Sequence, residues 1–145
     1  MKIQLKKISY SARLSEETPA FAADIWIDGV KAGEVRNEGQ GGPNRYSCRL
    51  LEARLEEHAK TLPPLPSPYG GPDLPMCADL VIADLLDVYL AEKAVRSALK
   101  SKTMFTMADG KLYTTRGPAP AKAVKVLNTM PFGDAVAVYL EMTRL

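Results

Sequence analysis

The side chains best suited to chemistry are few in this sequence and lie far apart. His58 is the only histidine, and Cys48 and Cys77 are the only 2 cysteines. A zinc site of the usual kind needs several histidine or cysteine ligands, and the motif HExxH does not occur. The GxSxG motif of serine hydrolases is missing too. A catalytic cysteine–histidine pair would have to be brought together by the tertiary fold, because neither cysteine is near His58 in the sequence. The sequence therefore predicts no catalytic residues, no metal site and no cofactor.

The same residues have simpler structural interpretations. We expect His58 to be a surface or half-buried helix residue, and both cysteines to be reduced, buried thiols of a cytoplasmic protein. Asp84 and Asp87 lie three residues apart on one helical face, which suits either a cation site or, more simply, a solvated flank near the start of a helix. Catalysis is not excluded by these residues, but it has no support from them.

The stretch "VRNEGQGGPNRY" contains three glycines, a proline and two asparagines between a predicted strand and a predicted helix. It matches neither the dinucleotide-binding pattern GxGxxG nor the phosphate loop GxxxxGK[ST]. Backbone amides at Gly39, Gly41 and Gly42, with Arg45 beside them, form a candidate anion-binding site at a helix N-terminus, and a small enzyme using this loop is a further alternative. The interpretation that we favour is that the glycines turn the chain sharply from a hairpin into a helix. Residues 39–45 are called the glycine loop below.

A second unusual stretch is "PPLPSPYGGPDLP", which holds 6 of the 11 prolines within residues 63–75. Neither a helix nor a central strand tolerates this composition. Connections longer than about 12–15 residues are uncommon inside compact domains and are often functional. We therefore take Leu65 and Tyr69 in this proline loop as candidate partner-binding residues; the alternative is a rigid surface crossing.

Charge is distributed unevenly along the chain. Residues 14–92 carry 14 acidic and 6 basic side chains, whereas the basic segment, residues 93–125, carries 8 basic and 1 acidic side chain. Such a segment indicates either a nucleic-acid surface or an internal balance of charge, and the internal balance is the explanation that we favour. The candidate nucleic-acid contacts are six basic side chains and one tyrosine ring that could stack on a nucleobase: Lys100, Lys102, Lys111, Tyr113, Arg116, Lys122 and Lys125.

Alternating apolar residues predict strands in the first third of the chain. Residues 3–14 change phase at Lys6-Lys7, which predicts a β-bulge. Residues 20–35 alternate on both sides of Asp28-Gly29, the signature of a hairpin with a type I′ turn, in which Trp26 opposes Lys31 and Ile25 opposes Ala32.

Helical periodicity predicts two main helices, near residues 45–62 and 77–100, with Asn44 as the expected cap of the first. Asp109-Gly110 predicts a second hairpin. Residues 119–128 are typical of a short helix that ends near Asn128. The alternation of Val136, Val138 and Leu140 favours a final strand over residues 134–145, with a terminal helix as the alternative.

Length and composition indicate one ordinary domain. The chain has 145 residues, of which 46% are hydrophobic and 25% are charged. It is long enough to bury a normal core without disulfides. No apolar run reaches the roughly 18–20 residues of a membrane span, and the N-terminus lacks the apolar core of a signal peptide, so we expect a cytoplasmic protein without a membrane partner.

Three segments resemble a group of small uncharacterised proteins from phages and other mobile elements. They are "ARLSEETPAF", "IDGVKAGEVRNEGQGG" and, more faintly, "TMPFGDAV"; the pattern shared with the group is RLSEET followed by xDGxxxGxVxNxGxGG. The resemblance covers chiefly residues 12–46 and leaves out the proline loop. It implies a genomic context, not a mechanism, and it assigns no catalytic residue.

Taken together, the sequence predicts a single α+β domain over residues 1–145. We expect an antiparallel sheet, formed by the N-terminal hairpin and later strands, to pack against the two main helices. The expected function is that of an accessory protein that binds or inhibits a macromolecular partner without catalysis, a protein being favoured over nucleic acid.

Overall fold

The structure is a computed structural model that describes residues 1–67 and 69–143. The chain forms two compact units, Met1–Leu85 and Leu86–Leu145. The first unit contains a four-stranded antiparallel sheet of order β1-β2-β3-β4 and a helix: β1 (Ile3–Ser11), β2 (Ala20–Ile27), β3 (Val30–Glu38), β4 (Arg45–Tyr46) and α1 (Arg49–Ala59). Helix α2 (Ala78–Leu99) runs across the boundary between the units.

The predicted N-terminal hairpin and bulge are both confirmed. Asp28 and Gly29 have φ angles of 50° and 82°, and Trp26 pairs with Lys31 as expected. Ile25 pairs with Gly33 and not with Ala32, because a register shift next to Trp26 adds one residue to β3. In β1 the register shifts between Lys6 and Ser9, at the predicted phase change.

One face of this sheet is buried and the other is open. Ala23, Ile25, Ile27 and Val35 are nearly inaccessible, whereas their neighbours along the strands are partly or fully exposed. Helix α1 lies close to the sheet at Gly33, where an added Cβ would be 2.6 Å from a methyl carbon of Leu51. The sheet and α1 thus enclose the core of the first unit.

The first predicted helix begins later than expected, and Asn44 is not its cap. Arg45–Tyr46 pairs with β3 instead, and Cys48 caps α1 by accepting a hydrogen bond from the Leu51 amide at 3.4 Å. The side chain of Asn44 instead accepts a hydrogen bond from Asn37 Nδ2 at 3.0 Å. Strand pairing therefore replaces the first turn of the predicted helix, whereas α2 matches the predicted helix 77–100 to within one residue at each end.

The second unit contains the end of α2, a three-stranded sheet and a C-terminal helix. The sheet has the order β6-β5-β7, and its predicted hairpin turns at Asp109-Gly110. The elements are β5 (Thr103–Thr106), β6 (Leu112–Thr115), β7 (Lys125–Val126), a 3₁₀ turn (Leu127–Thr129) and α3 (Phe132–Thr143). Its core is formed by the buried residues Ala91, Val95, Met104, Leu127, Ala135, Val136 and Val138, with partly buried apolar side chains packed around them.

Two predictions for this unit are wrong. Residues 119–128 do not form a helix, because the Val124 amide donates to Thr106 O at 2.8 Å and Lys125–Val126 pairs with β5. Residues 134–143 belong to α3 and not to a strand, since Ala135, Val136 and Val138 are all buried as parts of one helix. Residues 144 and 145 of that prediction lie outside the described part of the chain.

The predicted α+β class with an antiparallel sheet is confirmed. The single domain expected over residues 1–145 stays a prediction, because the chain divides into two compact units.

Candidate functional site

The glycine loop is a tight corner whose glycines are needed for different reasons. Gly39 is buried with φ 85°, and an added Cβ would lie 2.3 Å from the Leu14 carbonyl oxygen. Its own carbonyl accepts the amides of Glu16 and Glu17 at 3.0 and 3.1 Å. Gly41 has φ 92°, whereas a Cβ on Gly42 would meet nothing within 4 Å.

Two of the three candidate glycine amides already have partners. The Gly39 amide donates to Asn37 Oδ1 at 2.8 Å, and the Gly41 amide donates to Thr18 Oγ1 at 3.2 Å. Arg45 lies 3.6 Å from the Glu38 carboxylate, and both residues line a small cavity of about 230 Å³ beside the loop. The occupied amides of Gly39 and Gly41 and the neighbouring carboxylate favour the corner interpretation over an anion site formed by Gly39, Gly41 and Gly42.

Asn37 is the centre of a polar network that the sequence analysis missed. Its Oδ1 accepts from the Thr18 hydroxyl as well as from Gly39, and its Nδ2 donates to Gly42 O and to Asn44 Oδ1, both at 3.0 Å. All four hydrogen-bonding positions of the amide are thus used. The signal in the sequence was the pair of asparagines that flanks the glycines.

The network continues from the sheet to the first turn of α2. The Tyr46 hydroxyl donates to Asp79 Oδ1 at 2.7 Å, and the backbone amide of Asn44 donates to Asp79 Oδ2 at 3.2 Å. Burial raises the pKa of the Tyr46 phenol well above its usual value, and Asp79 raises it further, since loss of the proton would place two negative charges side by side. The phenol therefore stays a hydrogen-bond donor, and this network holds β4 against α2.

The proline loop is closed by a pair of backbone hydrogen bonds. Leu65 and Leu74 form an isolated antiparallel bridge in which each amide donates to the other carbonyl at 2.8 Å. Leu65 is half-buried at this bridge, whereas Tyr69 near the tip is 95% exposed and Leu74 is 53% exposed. The two predicted contact residues thus have different roles: Leu65 closes the loop and Tyr69 projects from it. Leu74 was missed, because only the pairing places it beside Leu65.

The candidate nucleic-acid residues all lie in the second unit and are all exposed. Thr103 pairs with Thr115, so Lys102 and Arg116 are neighbours at one end of the three-stranded sheet. Thr106 pairs with both Leu112 and Lys125, which places Lys111 and Lys125 near the other end. Lys100 precedes the first end, and Lys122 precedes β7.

These six basic side chains make no ion pair within the described residues. Tyr113 stacks on Phe105 at a centroid distance of 6.0 Å and donates its hydroxyl hydrogen bond to Asp109. One face of its ring is thus covered, and the residue is 40% exposed. The lack of ion pairs weakens the favoured explanation that these positive charges balance acids within the fold.

The remaining chemical candidates are one histidine and two free cysteines. His58 is half-buried in the last turn of α1, Cys48 is exposed and Cys77 is half-buried, so the prediction of two buried thiols is wrong for Cys48. Within residues 1–67 and 69–143, histidine, cysteine, aspartate and glutamate side chains form no cluster of three or more that could hold a metal ion.

None of the helices in the described chain combines the length and the apolar character needed to cross a membrane.

Comparison of the chain with protein-family models, with curated proteins and with solved structures finds no match. The roles proposed below therefore rest on the contacts and exposure of this chain's own residues.

Proposed function

We propose that the protein is an accessory protein of a phage or other mobile element and that it binds a protein partner through the proline loop. The observation that carries this proposal is the 95% exposure of Tyr69 on a loop whose base is closed by the Leu65–Leu74 bridge. A tyrosine supplies a large apolar surface and one hydroxyl at a low cost in side-chain entropy, and for this reason tyrosines are enriched among residues that dominate binding energy.

The loop is also restricted before any partner binds. Prolines fix φ over much of its length, and the two 2.8 Å hydrogen bonds between Leu65 and Leu74 hold its ends together. A restricted loop loses less conformational entropy on association, so more of the contact energy remains as affinity. The exposed side chain of Leu74 adds an apolar contact beside the base of the loop.

Capture from a lysate of the native host, followed by mass spectrometry, identifies the partner, and a substitution then tests the loop. We expect Tyr69→Ala to weaken binding of that partner about tenfold or more, as expected for a central tyrosine. Thermal melting should stay nearly unchanged, because the side chain packs against little else. Adding Leu65→Ala should weaken binding further, while its backbone bonds to Leu74 remain possible.

The matched control is Tyr113→Ala, which removes an exposed tyrosine outside the loop. We expect it to leave capture unaltered. Equal affinity of wild type and Tyr69→Ala for the captured protein would remove the proline loop as the contact site.

Nucleic-acid binding by the basic segment is a second candidate function. It is favoured by the six exposed lysine and arginine side chains that have no ion-pair partner among the described residues. Exposed lysines and arginines bind phosphates at the expense of bound counterions, and Tyr113 offers one ring face for stacking. Gel-shift measurements with a salt series test this candidate, as argued in the Discussion.

A further inference from the structure

The open face of the four-stranded sheet carries a cleft of about 580 Å³. Ala22 of β2 lines it together with the adjacent Ala23, whose side chain is buried, and residues of the neighbouring strands surround them. Ala22 faces the open side and is exposed, so nothing larger than a methyl group occupies this part of the strand. The charged residues that line the cleft are Lys7, Asp24, Glu34, Arg36 and Arg45.

Two arginines of the cleft oppose each other directly. Arg36 of β3 pairs with Arg45 of β4, and Arg36 also pairs with Ala22 of β2. Directly paired residues share a face of the sheet, and like charges in this position destabilise it. Arg36 has no ion pair within the described residues. Arg45 lies 3.6 Å from Glu38, but both side chains are largely exposed, so this ion pair offsets little of the repulsion.

A third cation reaches the cleft from a strained position. Lys7 lies in the bulge of β1 and has φ 51°, in the left-handed region that residues with a Cβ rarely adopt. Backbone strain of this kind is found preferentially at functional sites. The bulge thus adds a positive charge to a cleft that already holds two.

The acids of the cleft are held by a different lysine. Lys31 Nζ lies 3.6 Å from Asp24 and 3.3 Å from Glu34, and Asp24 and Glu34 are themselves a cross-strand pair. This acidic pair lies two residues along the strands from Ala22 and Arg36. Its negative charge is partly offset by Lys31. The end of the cleft around Ala22 is therefore left with Lys7, Arg36 and Arg45.

We propose that this cleft binds a small organic anion, whose phosphate or carboxylate group lies between Lys7, Arg36 and Arg45. Arginine binds both groups through parallel hydrogen bonds, and a bound anion would relieve the repulsion between Arg36 and Arg45. The cleft lies within the first unit and contains no residue of the proline loop. The proposal consequently does not depend on the proposed protein-binding function.

Isothermal titration calorimetry at constant ionic strength tests the site with two probes, pyrophosphate for the phosphate group and citrate for the carboxylate group. We expect saturable binding of at least one of them by the wild type. Arg36→Gln should weaken it about tenfold or more, because one of the three positive charges that hold the anion is lost. Ala22→Leu should abolish it, since the larger side chain fills the cleft without changing any charge.

Lys7→Gly separates binding from folding. Glycine adopts positive φ without strain, so this variant should melt at the same temperature or higher while it binds the probe more weakly. Arg49→Gln is the matched control, because it removes one exposed positive charge of the same unit outside the cleft, and it should bind like the wild type. Absence of saturable binding of both probes at millimolar concentration would overturn the proposal, as would equal binding by wild type, Arg36→Gln and Ala22→Leu.

Discussion

At the scale of single residues, the glycine loop shows that three glycines in one segment need not share a purpose. Gly39 is required because the Leu14 backbone leaves no room for a side chain there and because its φ is positive, whereas Gly41 is required by its positive φ alone, since the nearest atom belongs to the end of the Glu17 side chain. Gly42 has open space around it. The sequence alone marks all three equally, because the chain segment that crosses beneath Gly39 comes from residues 12–19 and is not adjacent in sequence.

This difference predicts unequal costs for the same substitution. Gly39→Ala should lower the free energy of unfolding by at least about 2 kcal/mol, since it adds both strain at positive φ and a clash with a backbone oxygen. Gly42→Ala, the matched control, should change it by less than about 0.5 kcal/mol, as is usual for surface positions. Urea unfolding followed by circular dichroism measures both values. Similar stabilities of the two variants would contradict the assignment of Gly39 as the corner residue.

At the scale of elements, local signals predicted structure well where the partner was near in sequence. The turn at Asp28-Gly29 defines the β2–β3 hairpin, and the phase change in β1 locates its bulge. The added residue at Ala32 was missed, because the two-residue turn predicts an unbroken register and the sequence carries no separate signal for this shift. Strand β4 was missed for a related reason: two residues carry no periodicity.

Helix α3 was mistaken for a strand because it is apolar on more than one side. Val136, Val138 and Leu140 alternate, but Ala135 and Val136 together with Tyr139 and Leu140 also recur at helical spacing. Only the buried environment of the second unit decides between the two periods. The same limit applies to the anion cleft, since the opposition of Arg36 and Arg45 follows from a register that the intervening loop does not reveal.

The hydrogen bond between Tyr46 of β4 and Asp79 of α2 predicts that the stability of the fold depends on pH. Since the folded pKa of Tyr46 is raised above its ordinary value of 10.0, the unfolded chain loses this proton first. The contribution of Tyr46 to the free energy of unfolding is therefore complete below about pH 10. It falls as the pH rises above 10, with a limiting slope of about 1.4 kcal/mol per pH unit. Tyr46→Phe should be less stable by about 1–3 kcal/mol at neutral pH, because the half-buried carboxylate of Asp79 loses a hydrogen-bond donor.

Urea unfolding at a series of pH values up to about 11 measures this effect as the difference between wild type and Tyr46→Phe. The difference should shrink as the pH rises above 10, since only the wild type has this proton to lose. A difference that stays constant over the whole series would show that the Tyr46 phenol is not held in its protonated form by the fold.

At the scale of the whole molecule, the proposed sites divide between the two compact units. The proline loop and the anion cleft belong to Met1–Leu85, and the basic segment from Lys93 onwards belongs to Leu86–Leu145. This division follows the charge asymmetry of the sequence, in which acids are concentrated before residue 93. Substitutions in one unit therefore serve as controls for a function proposed in the other.

The charge asymmetry gives the last prediction, which concerns nucleic acid. If the basic segment binds phosphates, affinity for random single- or double-stranded DNA or RNA should fall steeply with salt, because each neutralised phosphate releases about 0.9 counterion on duplex DNA. The double variant Lys102→Gln/Arg116→Gln removes the pair at one end of the three-stranded sheet, and Lys111→Gln/Lys125→Gln removes the pair at the other end. Each should reduce the slope of log K against log salt by about 2.

Gel shifts at low salt measure this slope, with Arg49→Gln/Arg54→Gln in the first unit as the matched control that should keep it. Tyr113→Ala should weaken binding to single strands more than to duplexes, because stacking needs an exposed base. A slope that falls equally in the control and in both test variants would mean that net charge alone drives the association. If micromolar wild-type protein shifts none of these nucleic acids, the basic segment has no role in binding them.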